Sequence, residues 1–421
     1  MVNELELYVH IPFCVRKCAY CDFLSFPSSE DLRQKYVDAL IREIRSCKNT
    51  YQGYRVPTVF IGGGTPSILS AAQIEAVFSS IRETFRVDPE AEITMEANPG
   101  TVTEEKLLAW KGAGVNRLSI GLQSARDEEL RMLGRIHDHR QFLDTWKLVR
   151  QAGMENVNID LISAIPGQTP ESWRETLRKT AGLAPEHLSV YSLIIEEGTP
   201  FYERYSNGPR DLRPEDRGRG TKKDASQDGR DGAQGPADPA GAFGSDDQQY
   251  PPLPDEETER LMYEETENIL AEYGYARYEI SNYAKPGCAC RHNIGYWQRK
   301  AYLGIGLGSS SLIGKTRFCH TPDLETYLAC AGDPGKICEE EQFLSEKEEM
   351  EEFMFLGLRM MCGVRKSEFL RLFGVPVDTV YGEPLKKLRE YGLLEIEKDT
   401  IRLTKRGIDI SNYVFEQFLL S

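Results

Sequence analysis

Residues 8–23, YVHIPFCVRKCAYCDF, place three cysteines within eight positions. These are Cys14, Cys18 and Cys21, and Pro12 comes shortly before the first of them. Spacings of four and three residues also occur along one face of a helix, so three buried thiols on a helix are one interpretation. Because Pro12 directly follows a strand-like segment, a helix is disfavoured here, and a metal-binding loop is the better interpretation.

The loop offers three thiol ligands rather than four. A structural zinc site usually has four protein ligands, and no further cysteine or histidine follows Cys21 closely. A [4Fe–4S] cluster normally takes four thiolates, so three thiolates leave one iron open. An amine and a carboxylate of a small ligand could chelate that iron. The sequence therefore predicts an iron–sulfur cluster whose open iron binds a small molecule.

Outward from this loop, predicted strands and helices alternate over about the first half of the chain. Six strand-like segments run from ELELYVHI at 4–11 to HLSVYSLI at 187–194, with helical sequence between them, including 126–152. Such alternation predicts right-handed βαβ units and a parallel sheet, here an α/β partial (β/α)6 barrel. Glycine-rich and polar motifs follow several strands. Since the carboxyl ends of parallel strands bind ligands, we predict one composite site there.

Composition divides the chain into four predicted parts. Residues 1–205 form the core barrel, and residues 206–254 are rich in Gly, Pro, Asp, Arg and Gln, which predicts a disordered insertion. Residues 255–343 form an aromatic and glycine-rich extension. Residues 344–421 contain helices followed by a short hairpin, an α+β arrangement that resembles a winged-helix module. That module is not strongly basic, so we expect it to pack against the protein rather than to read DNA.

Charge and hydropathy limit the partners. Lys and Arg number 51 against 66 Asp and Glu, a formal net charge of −15, which disfavours general binding to nucleic acid. The N-terminal MVNELELYVH has neither the basic nor the apolar region of a signal peptide. No apolar run approaches the roughly 20 residues that span a bilayer. We expect a cytoplasmic protein with no transmembrane segment and no nucleic-acid partner.

The motifs resemble those of the radical S-adenosylmethionine (SAM) superfamily. Its signature is C-x3-C-x2-C with an aromatic residue, here Tyr20, before the third cysteine. The ordered motifs YVHIPFC, FIGGGTP, EANPG, GLQS, LGRIHD and DLISAIPGQTPESW are similar to those of the oxygen-independent coproporphyrinogen III oxidases and their HemW-type relatives. The resemblance covers residues 5–205 closely and 255–421 more loosely, and it implies a radical SAM barrel with a C-terminal extension.

The resemblance also implies individual roles. Cys14, Cys18 and Cys21 are expected to bind the [4Fe–4S] cluster. The reduced cluster would pass an electron to the sulfonium of SAM and release a 5′-deoxyadenosyl radical. Whether a second SAM binds is left open. The residues expected to contact SAM, by backbone approach, carboxylate or guanidinium, are Tyr8, Tyr20, Gly63, Gly64, Thr65, Glu96, Gln123, Arg135 and Asp160.

Two functions occur among these relatives. The oxidase motif continues as C-x3-C-x2-C-x-C, whereas this chain has Phe23 at the last position. The oxidase also has an extension ahead of its first strand, which here begins near Leu5. The HemW-type haem chaperones carry H-N-x-x-Y-W, matched here by HNIGYW from His292 to Trp297. We therefore expect a protein that binds haem and delivers it to an acceptor protein, such as a respiratory one, with the oxidase as the alternative.

His292 itself has two interpretations. Imidazole is a common axial ligand of haem iron, and Cys288 and Cys290 lie nearby as further candidate ligands. Alternatively, the motif is a structural corner in which His292 bonds to the backbone and Trp297 packs in the core. A third class of function also stays open, such as a methylthiotransferase or a tRNA-modifying radical SAM enzyme. Such enzymes would be expected to carry a further cluster-binding or RNA-binding domain, and the sequence has no second cysteine triplet and no basic domain.

Overall fold

The computed structural model describes residues 3–206 and 250–420. The insertion predicted at 206–254 lies outside these residues except at its two ends. Within the described residues, no helix is both long and apolar enough to cross a membrane.

Strands and helices alternate through the first part of the chain, as predicted. The strands are β1 (Asn3–Glu4), β2 (Glu6–Ile11), β3 (Phe13–Cys14), β4 (Phe26–Pro27), β5 (Tyr54–Gly63), β6 (Arg86–Ala97), β7 (Arg117–Gln123), β8 (Val157–Ser163) and β9 (His187–Ser192). The helices are α1 (Glu30–Ser46), α2 (Lys48–Tyr51), α3 (Ala71–Thr84), α4 (Glu104–Gly112), α5 (Asp127–Met132), α6 (His139–Gln151), α7 (Pro170–Gly182) and α8 (Pro200–Tyr205), with a 3-10 turn at Pro66–Ile68.

Six of these strands form the centre of the main sheet, in the order β9-β8-β7-β6-β5-β2, and every neighbouring pair is parallel. The predicted six-stranded α/β unit is thereby confirmed. Side chains alternate between its two faces. Leu7, Val9 and Ile11 of β2 are fully buried in the apolar core, whereas the intervening Tyr8 and His10 lie on the opposite, inner face.

The chain then returns to both edges of this sheet. Strand β12 adds a seventh parallel strand beside β2, which the sequence did not predict. Antiparallel β11 pairs with β9 at the other edge. The elements of this part are α9 (Glu256–Glu272), β10 (Ala276–Glu279), β11 (Asn282–Ala284), α10 (Arg291–Trp297), β12 (Tyr302–Ile305), β13 (Ser310–Ile313), β14 (Thr316–His320), α11 (Leu324–Cys330), α12 (Pro334–Ile337) and β15 (Cys338–Phe343).

The C-terminal region is α+β and has its own apolar core, which includes Met354, Phe369, Leu388 and Ile401. A three-stranded sheet in the order β16-β18-β17 lies against its helices. The elements are α13 (Glu346–Gly357), β16 (Val364–Arg365), α14 (Lys366–Phe373), α15 (Val377–Glu390), β17 (Leu394–Ile396), β18 (Thr400–Leu403), α16 (Lys405–Asp409) and α17 (Ser411–Glu416).

Candidate functional site

The three-cysteine loop leaves β2 at the carboxyl end of the parallel strands. Cys14 is buried in β3, and Cys18 and Cys21 are half-buried in the loop that follows. Burial raises the pKa of the Cys14 and Cys21 thiols. A bound metal centre offsets such a cost, because positive charge favours the thiolate. The loop therefore presents buried thiols that are poor free nucleophiles and suitable metal ligands.

Hydrogen bonds fix this loop across the end of the barrel. The amide of Ala19 donates to the carbonyl of Leu133 at 3.1 Å, and the amide of Phe201 donates to the carbonyl of Ala19 at 3.0 Å. The Arg16 guanidinium donates to the carbonyl of Gly134 at 3.0 Å. The loop is thus tied to the segment after β7 and to the segment after β9.

The glycine loop lies directly beside the cysteine loop. Gly63 has a positive φ of 115°, and a Cβ there would lie 2.6 Å from the His10 ring. A Cβ on Gly64 would lie 2.6 Å from the carbonyl oxygen of Phe13, the residue before Cys14. Only glycine permits this close approach without displacing the backbone. The predicted glycines therefore bring the end of β5 against the start of the cysteine loop.

Two carboxyl groups, on β6 and β8, face the inside of the barrel on either side of β7. Glu96 at the end of β6 accepts a hydrogen bond from the Gly63 amide at 3.1 Å. Burial and the nearby Asp160 raise the pKa of Glu96 to about 8. Burial also raises the pKa of Asp160, although Ser119 and Asn158 donate hydrogen bonds to it at 3.0 and 2.7 Å. Such a pair of acids, sharing a buried space, favours a cationic ligand.

Arg135 connects the cysteine loop to the strand ends. Its guanidinium lies 3.6 Å from Cys18 Sγ and donates to the Asn98 amide oxygen at 2.6 Å and to the Gly121 carbonyl at 2.9 Å. Asn98 in turn donates to the Thr65 hydroxyl at 2.7 Å. Sequence reasoning did not nominate Asn98, although it lies within the EANPG motif. Asn98 therefore links Thr65 and Arg135, both of which the sequence predicted as SAM contacts.

The remaining predicted contacts also lie at this end. The half-buried Tyr20 belongs to the cysteine loop, and burial raises the pKa of its phenol, while the neighbouring Arg135 opposes that shift. Gln123 ends β7 with a positive φ of 73°, at an irregularity in the pairing with β8. A non-glycine residue held in this conformation is typical of a functional position.

Tyr8 and His10 form a hydrogen-bonded pair on the inner face of β2. His10 Nε2 lies 2.9 Å from the Leu24 carbonyl and must donate to it, so Nδ1 accepts from the Tyr8 hydroxyl at 3.0 Å. Because Leu24 follows the cysteine loop, His10 holds the end of that loop against β2. Sequence reasoning placed His10 on the strand but gave it no role.

His292 does not join these residues. It lies in α10 near the amino ends of the strands, where its Nδ1 is 2.8 Å from the Thr58 hydroxyl of β5. Thr58 precedes Gly63 by five residues in the same strand, a rise of about 16 Å. The amides of Arg291 and His292 each donate to Glu92 of β6 at 3.0 Å. The HNIGYW motif thus lies towards the end of the barrel opposite the cysteine loop.

Both ring nitrogens of His292 have partners, since Nε2 lies 3.0 Å from the Tyr296 hydroxyl. The residue is 1% exposed, and burial lowers its pKa to about 3. Trp297 is half-buried beneath Arg359, whose guanidinium lies 4.4 Å from its ring. Cys290 is fully buried against Glu92. Ligation of haem iron by His292 stays a prediction, while these contacts give the residue a structural role.

The residues at the cysteine loop fit an iron–sulfur cluster. In residues 3–206 and 250–420, no three His, Cys, Asp or Glu side chains converge closely enough to hold a single metal ion. The thiolates of a cluster each bind a different iron, so they stand farther apart than the ligands of one ion. The buried Arg135 Nε has no hydrogen-bond partner, which leaves a donor available beside the loop. Thiols, glycine backbone and guanidinium together suit a cluster with an organic ligand.

Comparisons with known proteins agree with this geometry. The family model for the radical SAM superfamily matches residues 8–180, and that for the HemN C-terminal domain matches residues 344–410. The structure resembles that of the coproporphyrinogen III oxidase HemN from Escherichia coli, with a TM-score of 0.79 at 24% identity, over 99% of this chain and 90% of that one. This likeness concerns the fold.

Full-length relatives identify the family more closely. The heme chaperone HemW of Lactococcus lactis is 35% identical over 98% of this chain and 97% of its own length. The heme chaperones HemW of Bacillus subtilis and Escherichia coli are 33% and 32% identical, each over 98% of its own length. The chain therefore belongs to the radical SAM superfamily and, within it, to the HemW family of haem chaperones.

Proposed function

We propose that the protein is a haem chaperone, which binds haem and transfers it to an acceptor protein, and that its barrel holds a [4Fe–4S] cluster and SAM. Cys14, Cys18 and Cys21 would bind the cluster. When bound, the cluster supplies an electron to SAM. The observation that carries the proposal is the three-thiol loop fixed against the glycine loop, in a chain similar over its full length to haem chaperones.

The acids of the barrel support the assignment of SAM as ligand. Burial raises the pKa values of Glu96 and Asp160, and the nearby Asp160 adds to the shift of Glu96. SAM carries a sulfonium and an ammonium, and either cation would lower the cost of the ionised carboxylates. The guanidinium of Arg135 and the backbone of Gly63 and Gly64 are suited to a carboxylate and to close backbone contact. Tyr8, Tyr20, Thr65 and Gln123 complete the proposed SAM contacts.

Phe23 supports the chaperone over the oxidase. The oxidase motif has a cysteine at this position, whereas Phe23 is 67% exposed and offers no thiol. A respiratory protein is one candidate acceptor of the haem.

The cluster is tested by replacing Cys14, Cys18 and Cys21 together with alanine. The variant should bind no iron after anaerobic reconstitution and should lack the brown cluster absorbance. The matched control replaces Cys47, Cys330 and Cys362 with alanine. Iron content should be unchanged in that variant, because these thiols lie outside the loop. Retained iron in the first variant would overturn the ligand assignment.

The choice between chaperone and oxidase needs a second experiment with the reconstituted, reduced protein. SAM cleavage to 5′-deoxyadenosine shows that the cluster is competent. Coproporphyrinogen III added to the same sample should remain unconverted, as followed by chromatography, while haem titration should give saturable binding. Formation of protoporphyrinogen would make the protein an oxidase, and absence of haem binding would reject the chaperone.

A further inference from the structure

A chain of buried polar side chains on the inner face of the barrel ends at Asp160. Asn158 of β8 and His187 of β9 are register partners, and they are 2% and 0% exposed. His187 Nδ1 lies 2.6 Å from the Asn158 amide oxygen, and the Asn158 amide nitrogen donates to Asp160 at 2.7 Å. His187 Nε2 lies 2.8 Å from the hydroxyl of Tyr278 on β10. Sequence reasoning gave no role to Asn158, His187 or Tyr278.

The hydrogen bonds of this chain all point towards Asp160. The backbone amide of Cys290 can only donate, and its acceptor is the Tyr278 hydroxyl oxygen at 3.3 Å. The Tyr278 hydroxyl donates in turn to His187 Nε2, which leaves Nδ1 to donate to the Asn158 oxygen. Burial lowers the pKa of His187 well below its usual range, so the ring carries a single proton. The Asn158 amide nitrogen then faces Asp160 as a donor.

The opposite arrangement would leave one hydrogen of the chain without an acceptor. If Asp160 were protonated and donated to the amide oxygen of Asn158, the amide would turn over and donate to His187 Nδ1. His187 would then donate from Nε2 to the Tyr278 oxygen, which already accepts from the Cys290 amide. The phenolic hydrogen of Tyr278 would have no acceptor within the chain. The chain therefore favours the arrangement in which Asp160 is ionised.

Asp160 has further support as a carboxylate. Ser119 of β7 donates to its second oxygen at 3.0 Å and accepts from the Asn158 amide at 2.7 Å. Burial raises the pKa of Asp160, while these two donors and the positive charge of the buried Arg117 oppose that shift. Asp160 is only half-buried, so a ligand inside the barrel can still reach its carboxylate.

The other acid of the barrel, Glu96, has fewer donors. It accepts from the Gly63 amide, and burial together with the nearby Asp160 raises its pKa to about 8. The phenol of Tyr191 also lies near the two acids, and burial raises its pKa, so it stays neutral. When the two acids share one proton, we therefore expect it on Glu96, with Asp160 as the ionised acceptor.

We propose that His187 is a positioning residue for SAM, which fixes Asn158 so that Asp160 stays ionised and accepts hydrogen bonds from the ligand. SAM offers an ammonium and ribose hydroxyls as donors to such a carboxylate. The inference rests on the proposed function, because it concerns how the barrel holds SAM. It also links the segment before the HNIGYW motif to the ligand, since the chain begins at the Cys290 amide.

The test measures SAM affinity by anaerobic calorimetry on the reconstituted full chain at about pH 6 and about pH 8. His187→Leu removes the donor to Asn158, so Asp160 should take up a proton more readily as the pH falls. Relative to the wild type at the same pH, its SAM affinity should fall about tenfold at the lower pH and less than about twofold at the higher. Glu96 and SAM titrate in both proteins, so their contributions cancel in this ratio. Iron content shows in each sample that the cysteine loop is intact.

Tyr278→Phe is a milder variant, which keeps the ring and removes only the hydroxyl between Cys290 and His187. Its SAM affinity should fall severalfold at the lower pH and stay unchanged at the higher. Tyr283→Phe is the matched control, because Tyr283 on β11 is 1% exposed and its hydroxyl bonds to Arg277, outside the chain. Its affinity should equal that of the wild type at both pH values.

Equal loss of affinity at both pH values, in His187→Leu and in Tyr278→Phe, would mean a merely structural role and would overturn the inference. Wild-type affinity of both variants at the lower pH would overturn it as well. If His187→Leu does not fold, the comparison of Tyr278→Phe with Tyr283→Phe decides alone. A wild-type protein that carries the cluster but binds no SAM would instead reject the proposed function.

Discussion

His292 Nδ1 lies 2.8 Å from the hydroxyl of Thr58, about 16 Å along β5 from the glycine loop. This contact puts the HNIGYW motif towards the amino ends of the strands and the cysteine loop at their carboxyl ends. The histidine ring also stacks on Phe60, with centroids 5.3 Å apart, and Phe60 stacks on Tyr8 at 6.3 Å. The motif thus packs against the barrel strands near their amino ends and does not contribute to the cluster site.

His292→Ala should therefore destabilise the fold without affecting the cluster. The variant loses two buried hydrogen bonds and the stacking on Phe60, so the free energy of unfolding should fall by about 2–4 kcal/mol. Iron content per folded molecule should be unchanged. Urea unfolding followed by circular dichroism measures the first quantity, and iron analysis after reconstitution measures the second.

The control for this variant is His139→Ala, at the half-buried first residue of α6. Its stability should change by less than about 1 kcal/mol. Loss of iron from fully folded His292→Ala would show that the motif affects the cluster, despite the distance along β5 between Thr58 and the glycine loop.

Gly64→Ala should disrupt the cysteine loop. Its Cβ would lie 2.6 Å from the Phe13 carbonyl oxygen, and backbone cannot yield as a flexible side chain can. We expect iron loading to fall severalfold and SAM binding to be lost. Gly112→Ala is the control, because a Cβ there meets nothing within 4 Å. It lies at the end of a helix and should gain up to about 1 kcal/mol of stability with normal iron content.

Asn98→Ala tests the bridge between Thr65 and Arg135. Removing both side-chain hydrogen bonds takes away one of the acceptors that position the Arg135 guanidinium, so SAM affinity should fall by about tenfold, while the three thiols still bind iron. Anaerobic calorimetry with SAM gives the affinity. Asn98→Asp keeps the acceptor for Arg135 but loses the donor to Thr65. Its affinity for SAM should lie between those of the wild type and Asn98→Ala. An unchanged affinity in Asn98→Ala would remove this residue from the proposed site.

The sequence predicted well which motifs lie at the carboxyl ends of the strands. It predicted poorly which hydrogen-bond partners the individual side chains have. Cys14, Gly63 and Glu96 belong to motifs at the carboxyl ends of strands. Because the strands are parallel, these residues come together at one end of the barrel. The break at 133–138 in the helical sequence over 126–152 was missed, although it brings Arg135 to the cysteine loop. Local signals for this break are present, since Gly134 has a positive φ of 73° after α5, and Asp138 and Gln141 form a capping box that starts α6. Hydrophobic periodicity alone does not report them.

The position of His292, in contrast, could not be predicted from local sequence. Nothing in its motif indicates which end of the barrel the returning chain reaches. That position is set by long-range contacts, in which Glu92 accepts from the amides at the start of α10 and β12 pairs with β2. A histidine with two buried partners and a histidine ready to bind iron have the same local sequence. Only the fold distinguishes them.

Glu6 provides a pH-dependent test of the packing beneath this motif. Both of its carboxyl oxygens are buried without a hydrogen-bond partner, and they lie where a Cβ on Gly295 would otherwise fit. Burial raises the pKa of Glu6 from 4.5 to about 8. His292, 3.9 Å away, has a pKa lowered to about 3, so the two form no ion pair between these values.

Because the folded state holds the Glu6 proton more tightly than the unfolded state, this group costs stability as pH rises from 4.5 towards 8. The wild type should therefore lose about 2–3 kcal/mol relative to Glu6→Gln between about pH 5.5 and 7.5. Urea unfolding of both proteins across this range measures the difference. Glu4→Gln is the control, since Arg55 donates to that carboxylate at 2.6 Å and lowers its pKa, so the decline should persist. Parallel pH profiles for wild type and Glu6→Gln would mean that the Glu6 carboxyl is solvated or paired in solution.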